Sequence, residues 1–306
     1  MSQAGIAITL DAVIVAVTDD QPRVLTNPEP RGLARIPSGP LDPEADKTLE
    51  RALRRWIAEL TGIEIGYAEQ LYTFGDRNRG RRGADDPRQL SVAYLALVRE
   101  EAPSPQAEWI DWYDLFPWED HRAGRPEVVD SILLPGLESW AREDRGGAAR
   151  RRRRIGVMFG ADSGWDGIRV LDRYELLYEA GLVAEAYFDT GRSAPRGCVG
   201  APMALDHRRI AASALGRLRG KLTYRPVVFE LLPDLFTLTT LQRTVEALAG
   251  VPMHTQNFRR LVERNRLVEG TGERTTATGG RPAELFRFRS EVVGERPRPG
   301  LGVPYR

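Results

Sequence analysis

Cysteine is nearly absent from this 306-residue chain. The single Cys198 leaves no internal disulfide and argues against thiolate-built zinc or iron–sulfur sites. Histidine is scarce too. His121, His207 and His254 lie far apart with no HExxH spacing, which argues against a histidine-rich metal site. No stretch approaches the roughly 18 uninterrupted apolar residues that a membrane span needs, and no basic segment leading into an apolar core opens the chain. A reduced, soluble, cytoplasmic protein with no membrane partner is expected. What is present is ordinary for a globular fold, with 42% apolar and 28% charged residues. The length suits about two domains of roughly 150 residues.

The net charge of +1 conceals an asymmetry. Residues 1–200 carry 26 Lys and Arg against 33 Asp and Glu, whereas residues 201–306 carry 18 against 10. A basic C-terminal part suits a phosphate polymer as partner, although chance clustering of solvated charges gives the same count.

The first hundred residues read as strands around one helix. Residues 5–17 are β-branched and run into Asp19-Asp20, so a strand and turn are expected, with 24–26 as the hairpin partner. Residues 42–60 repeat Leu49, Ala52, Leu53, Trp56, Ile57 and Leu60 at helical spacing and end at Gly62. Residues 70–74 and 90–98 read as strands flanking a polar loop at 75–89. An α+β domain with a mixed sheet follows. Residues 145–154 contain five consecutive arginines at 150–154, which read as a solvated linker. Residues 165–188 are helical in character. Glu175 and Glu179, one turn apart, fit a solvated face better than a metal pair.

The basic part has a recognisable order. An amphipathic helix at 206–222 is followed by turns at 224–236. Thr239 and Gln242 suggest a capping box for a helix ending at Gly250. A second helix follows at 255–265, then a strand from Leu267, a Gly/Thr/Arg tip at 270–281 and a return strand at 285–289. Helix, turn, helix, hairpin is the winged helix-turn-helix order. The second helix would present Thr255, Gln256, Asn257, Arg259, Arg260 and Arg264 to the major groove of double-stranded operator DNA. Gln and Asn suit adenine edges and Arg suits guanine, each through two parallel hydrogen bonds. Arg274 and Arg281 of the wing suit phosphates. The competing reading is an arginine-rich protein–protein module.

Phe229-Glu230-Leu231-Leu232-Pro233, Phe236-Thr237-Leu238, Leu241-Gln242, Asn257-Phe258-Arg259-Arg260 and Gly280-Arg281-Pro282-Ala283 together resemble the C-terminal domain of the Nudix-related transcriptional regulators of NAD metabolism. Leu205-Asp206-His207 and Leu218-Arg219-Gly220-Lys221-Leu222 resemble that family's linker helix. Residues 70–76 and Ser91-Val92-Ala93-Tyr94 resemble its Nudix domain. The resemblance implies a Nudix-like effector-binding domain at 1–122, a helical elaboration with an Arg-rich linker at 123–200, and a linker helix with winged helix at 201–306. It also implies a homodimeric repressor, held together by the Nudix-like domain and the helix at 206–222. That repressor would sense ADP-ribose or a related NAD-derived nucleotide and need no cofactor.

The Nudix signature, Gx5Ex7REUxEExGU, can be registered on Gly62-Ile63. Arg55 and Glu59 then match, while Lys47, Trp56 and Leu60 replace three of the four glutamates. Magnesium wants oxygen ligands in near-octahedral array, and this set offers one. The site is therefore expected to bind without hydrolysing, with a residual pyrophosphatase as the rival reading. Arg55 and Glu59, at i and i+4, also suit a plain intrahelical ion pair. For the nucleotide, Tyr72 and Phe74 could form an adenine slot or pack in the core. Arg77, Arg79, Arg81 and Arg82 could hold the diphosphate or line a solvated loop.

Overall fold

The computed structural model describes residues 5–28, 32–76, 87–100, 105, 107–144, 146–160, 164–276, 282–291 and 300–301. Its N-terminal half contains β1 (Ile6–Thr18), β2 (Gln21–Pro28), β3 (Ala34–Arg35), β4 (Ser38–Pro40), α1 (Leu49–Thr61), β5 (Tyr67–Phe74), β6 (Arg88–Leu97) and β7 (Glu108–Asp111). The strands form one mixed sheet in the order β3-β2-β1-β6-β5, with β4 pairing β1 and β7 pairing β2. β1 runs parallel to β6 and antiparallel to its neighbours β2 and β4. The β1–β2 turn has both Asp19 and Asp20 in the left-handed region (φ 51° and 60°). That is the geometry a two-residue hairpin demands, and Asp tolerates it.

α1 starts seven residues later than the apolar period suggested. Asp42 accepts from the Glu44 and Ala45 amides and Asp46 from the Asp42 amide, so short acidic side chains wrap this stretch into turns around Pro43. Thr48 then caps the helix by accepting from the Arg51 amide, and Gly62 closes it at φ 75°. Ala52, Leu53, Trp56 and Ile57 are buried against Leu10, Ala12, Ile14, Val92 and Tyr94 on one face of the sheet.

The other face is covered by α2 (Trp112–Leu115) and α7 (His207–Leu222), and behind α7 lie α5 (Val170–Glu179), then α4 (Ala148–Phe159), α3 (Leu134–Glu143) and α6 (Glu185–Phe188) packed one against another. The arginine run is therefore no linker. It forms the first half of α4, because its neighbours neutralise it. Arg152 pairs with Glu138 at 2.7 Å and Arg154 with Glu179 at 2.6 Å, while Arg151 stacks 4.0 Å over Trp140. Glu175 likewise pairs with Arg209 at 2.6 Å.

The C-terminal part is α8 (Leu238–Ala249), α9 (Thr255–Asn265) and the ribbon β8 (Val268–Thr275) with β9 (Ala283–Phe288). The α8 cap falls two residues before the expected one: Thr237 accepts from the Thr240 amide. Phe236 exchanges both backbone hydrogen bonds with Phe286, adding a third strand position to the ribbon.

One apolar cluster runs from the sheet through α3, α5 and α7 into α8 and α9. At its centre, α7 has twelve of its sixteen residues buried within the chain. Of the inserted helices, α5 packs along it, while Arg209, Arg217, Gly220 and Lys221 keep partial exposure. Glu119, Arg173 and Arg219 lie inside the cluster with no solvent exposure. Arg173 donates to both Glu119 oxygens at 2.5 and 2.7 Å, and Arg219 to one at 2.6 Å. A second buried pair, Arg208 with Glu185 at 3.2 Å, sits at the start of α7.

Two stability predictions follow from these buried groups. Glu119→Gln leaves two buried guanidiniums facing a neutral amide and should cost about 3–5 kcal/mol in urea unfolding. Burial alone raises the Glu119 carboxyl, but Arg173 and Arg219 outweigh it and hold it below its ordinary 4.5. Its contribution is therefore complete above pH 4.5 and disappears as pH falls through the lower folded value.

His121 behaves oppositely in charge. Burial pushes it down to about 4 from 6.5, while its Nε2 lies 3.2 Å from the Trp118 carbonyl. Between those values the unfolded chain binds the proton and the folded chain does not, so stability falls as pH drops from 6.5 to 4. His121→Gln should reduce that slope by about one proton, measured by urea midpoints across the window.

Candidate functional site

Two faces carry the residues singled out by sequence. The first lies at α1. Arg55 donates to Asp46 at 3.0 Å and to Glu59 at 3.3 Å, bridging two carboxylates. The Arg55 hydrogen bond holds the Asp46 carboxyl below its usual range. Trp56, 5% exposed, lies flat on β4, where a Cβ on Gly39 would come within 2.6 Å of the indole. Only glycine fits beneath that ring. Glu59 thus stands beside a buried indole and Leu60, with its near partner a guanidinium. Among the described residues, no three His, Cys, Asp or Glu side chains converge as a metal site. No helix among them is long and apolar enough to cross a membrane.

Tyr72 and Phe74 are not brought to α1. They lie on the sheet face that looks to α7. Phe74 packs on the large apolar cluster, and Tyr72, 53% exposed, sits with its ring 5.6 Å from the Arg217 guanidinium. A cavity of about 440 Å³ opens there, lined by Tyr72, Arg169, Arg217, Gly216, Gly220 and Tyr224 among others. Sequence reading missed Arg217 and Tyr224 because they flank the apolar stripe of α7 and announce no period. Arg77, Arg79, Arg81 and Arg82 lie outside the described residues.

The second face is the winged helix. Phe258 and Val262 bury one side of α9, leaving Thr255, Gln256, Asn257, Arg259, Arg260 and Arg264 exposed on the other. The turn before α9 is fixed by two side chains of α8. Gln242 donates to the Met253 carbonyl at 2.9 Å, and Glu246 accepts from the Met253 amide at 2.7 Å. Gln242 was expected in a capping box; it clamps the helix–turn–helix angle instead. Arg274 is exposed on β8 opposite Glu284, while Arg281 lies outside the described residues.

The end of α8 is held by the sheet domain. Last-turn carbonyls of a helix need donors from elsewhere. Here Tyr113 Oη donates to Ala247, Arg219 Nε to Leu248 and the His121 amide to Gly250, at 2.6, 3.1 and 2.7 Å. Gly250 has φ 71°, and a Cβ there would meet Arg219 and the Glu119 carbonyl within 2.5 Å. This docking was not legible in the sequence, since Tyr113 lies 134 residues from Ala247.

Comparison with known proteins agrees with this architecture. Residues 228–288 match the NrtR DNA-binding winged helix domain. Over 285 residues the chain is 24% identical to the ADPR responsive transcriptional repressor NtrR of Acinetobacter baylyi, covering 92% of this chain and 81% of that protein. The crystal structure of Shewanella oneidensis NrtR complexed with a 27mer DNA superposes with a TM-score of 0.58 at 24% identity, covering 94% and 95% of the two chains. A MutT/nudix family protein from Enterococcus faecalis gives 0.54 at 17% identity, covering 94% and 88%. Residues 228–288 therefore match the NrtR DNA-binding winged helix domain, and over its length the chain shares the fold of the solved NrtR, a mixed-sheet domain leading into a winged helix.

Proposed function

We propose that this protein is a transcriptional repressor of NAD metabolism genes that works in the cytoplasm, binds operator DNA through its winged helix and answers to ADP-ribose or a related nucleotide. The observation that carries the reading is α9. Its exposed face offers Gln256, Asn257, Arg259 and Arg260 on a helix whose angle is fixed by Gln242 and Glu246. Those side chains have the donor and acceptor pairs that base edges in the major groove require. The ADP-ribose response of the Acinetobacter relative supports the choice of effector.

The division of labour runs along the chain: 1–122 senses, 123–200 braces and 201–306 reads DNA. The nucleotide sits on the α1 side, near Arg55 and Glu59, with Arg77, Arg79, Arg81 and Arg82 taking the diphosphate. Phe74, turned towards α7, serves packing, and Tyr72 lines the cavity beside Arg217. Two-fold operators call for a homodimer, held by the sheet domain and the partly exposed side of α7.

The sensing domain is a binder and not a hydrolase. Magnesium on a pyrophosphate needs several oxygen ligands, and Glu59 with Arg55 across it and Trp56 and Leu60 beside it offers a poor set. With millimolar magnesium and ADP-ribose, AMP release should not exceed that of buffer. AMP release that disappears in Glu59→Gln would restore the pyrophosphatase reading.

DNA reading separates two kinds of residue. Asn257→Ala and Arg260→Ala should relax preference at particular base pairs, each by about 1–3 kcal/mol of discrimination, and leave the salt dependence nearly unchanged. Arg274→Ala should weaken operator and scrambled duplex alike and lower the salt slope by about one unit. Salt titrations on both duplexes check this, and duplex binding that none of the three variants alters would overturn the DNA assignment.

A further inference from the structure

A single stretch of chain, residues 34–40, touches both α1 and the first turn of α7. At one end Gly39 lies under Trp56 of α1. At the other, the Ala204 amide donates to the Ala34 carbonyl at 2.9 Å, and the Ile36 amide donates to His207 Nδ1 at 3.2 Å. In between, Ser38 Oγ donates to Asp11, a fully buried carboxylate of β1 that also accepts from Ser91 of β6. His207, 1% exposed, turns its Nε2 to the same carboxylate at 3.9 Å. Because Nδ1 accepts from an amide, a neutral His207 carries its proton on Nε2, facing Asp11.

The residue two before His207 is strained. Leu205 has φ 53°, the left-handed region that a residue with a Cβ occupies only when its surroundings impose it. Those surroundings are nearby. The Met203 amide donates to Glu185 at 2.9 Å, Ala204 is tied to Ala34, and His207 to Ile36. Strand segment 34–36 thus supplies two of the three restraints that keep the joint in its high-energy form. A small displacement of that segment releases them together and lets Leu205 relax, which tilts the start of α7.

We propose that His207 is the positioning residue that carries effector occupancy from the α1 side to the winged helix, through its hydrogen bond to Ile36. The proposal rests on the reading of the chain as an ADP-ribose-responsive repressor. A nucleotide on the α1 side presses on Trp56 and hence on Gly39; segment 34–40 moves; the Ile36–His207 bond transmits the movement to α7, whose far end bears Arg219 against the α8 carbonyls.

The test uses the full chain and a duplex selected from a random-sequence pool. Operator affinity is measured with and without saturating ADP-ribose, and ADP-ribose binding is measured separately by calorimetry. Asn mimics Nδ1 and keeps an acceptor for Ile36; Gln mimics Nε2 and loses it. Coupling between sites is ordinarily about 5- to 150-fold, and wild type is expected within that range. His207→Gln should bring the ratio to within about two-fold of unity while ADP-ribose still binds, and His207→Asn should restore it; a purely structural role would not separate the two. Should His207→Gln fail to fold, Ser38→Ala, at an exposed position, should lower the same ratio several-fold. A full ratio in His207→Gln, or in Ser38→Ala where that variant stands in, overturns the proposal alone. A wild-type protein whose operator affinity ignores ADP-ribose overturns the repressor reading and the proposal with it.

Discussion

A carboxylate sealed from water has to be answered by cations, and the way Glu119 is answered organises this molecule. Its two guanidiniums come from residues 54 and 100 positions further along, Arg173 of the inserted helices and Arg219 of α7. Neither arginine has water to fall back on, so all three elements must meet in one geometry or leave a buried charge exposed to apolar surroundings. The remaining donors of Arg219 then go to the Glu119, Gly167 and Leu248 carbonyls. The last of these belongs to α8. The same ionic knot that joins sheet, insertion and α7 therefore fixes where the helix-turn-helix sits.

This gives the elaboration at 123–200 a physical purpose. A lone winged helix buries little apolar surface, and a helix joining it to a sensor would leave its own apolar faces in water. Here α5 packs along α7, and the cluster continues from the sheet to Phe258 of α9. The arginine run of α4 belongs to that brace. Its charge repulsion is offset by Glu138 and Glu179 on neighbouring helices, and the stack of Arg151 on Trp140 uses the face of the guanidinium as packing surface.

What was legible in the sequence was local. The helix at 255–265 coincides with α9 residue for residue, because Phe258 and Val262 lie on one buried face and Arg266 closes it in the left-handed region. The hairpin at Asp19-Asp20 and the glycine stops at 62 and 250 were legible for the same reason: each is a conformational demand met by one residue type. The start of α1 was misread because the side chains of Asp42 and Asp46 compete for the backbone, a contest that hydrophobic period does not see. The arginine helix was misread because charge patterning counts like charges along the chain and is blind to carboxylates brought from elsewhere. Which of the two open readings Tyr72 and Phe74 take was not legible either, because β5 shifts register between Gln70 and Thr73 and strand alternation does not carry through it.

The knot at Glu119 and the joint at His207 divide the molecule into a part that resists change and a part that admits it. A ligand shifts an equilibrium only by its difference in affinity for two arrangements, so a sensor needs a second arrangement close in energy. The α8 docking surface is a poor source of one, since its carbonyls, the knot and Gly250 leave no room for an alternative seat. The start of α7 is a better source. Leu205 already sits in an unfavourable conformation, and the bonds that hold it come mainly from a strand segment rather than from the knot. Strain there lowers the cost of leaving the observed state, while the buried far end of α7 keeps the winged helix attached during the change. Movement that began at residue 205 would therefore reach α9 as a rotation of a rigid unit, because the far end of α7 stays tied to α8.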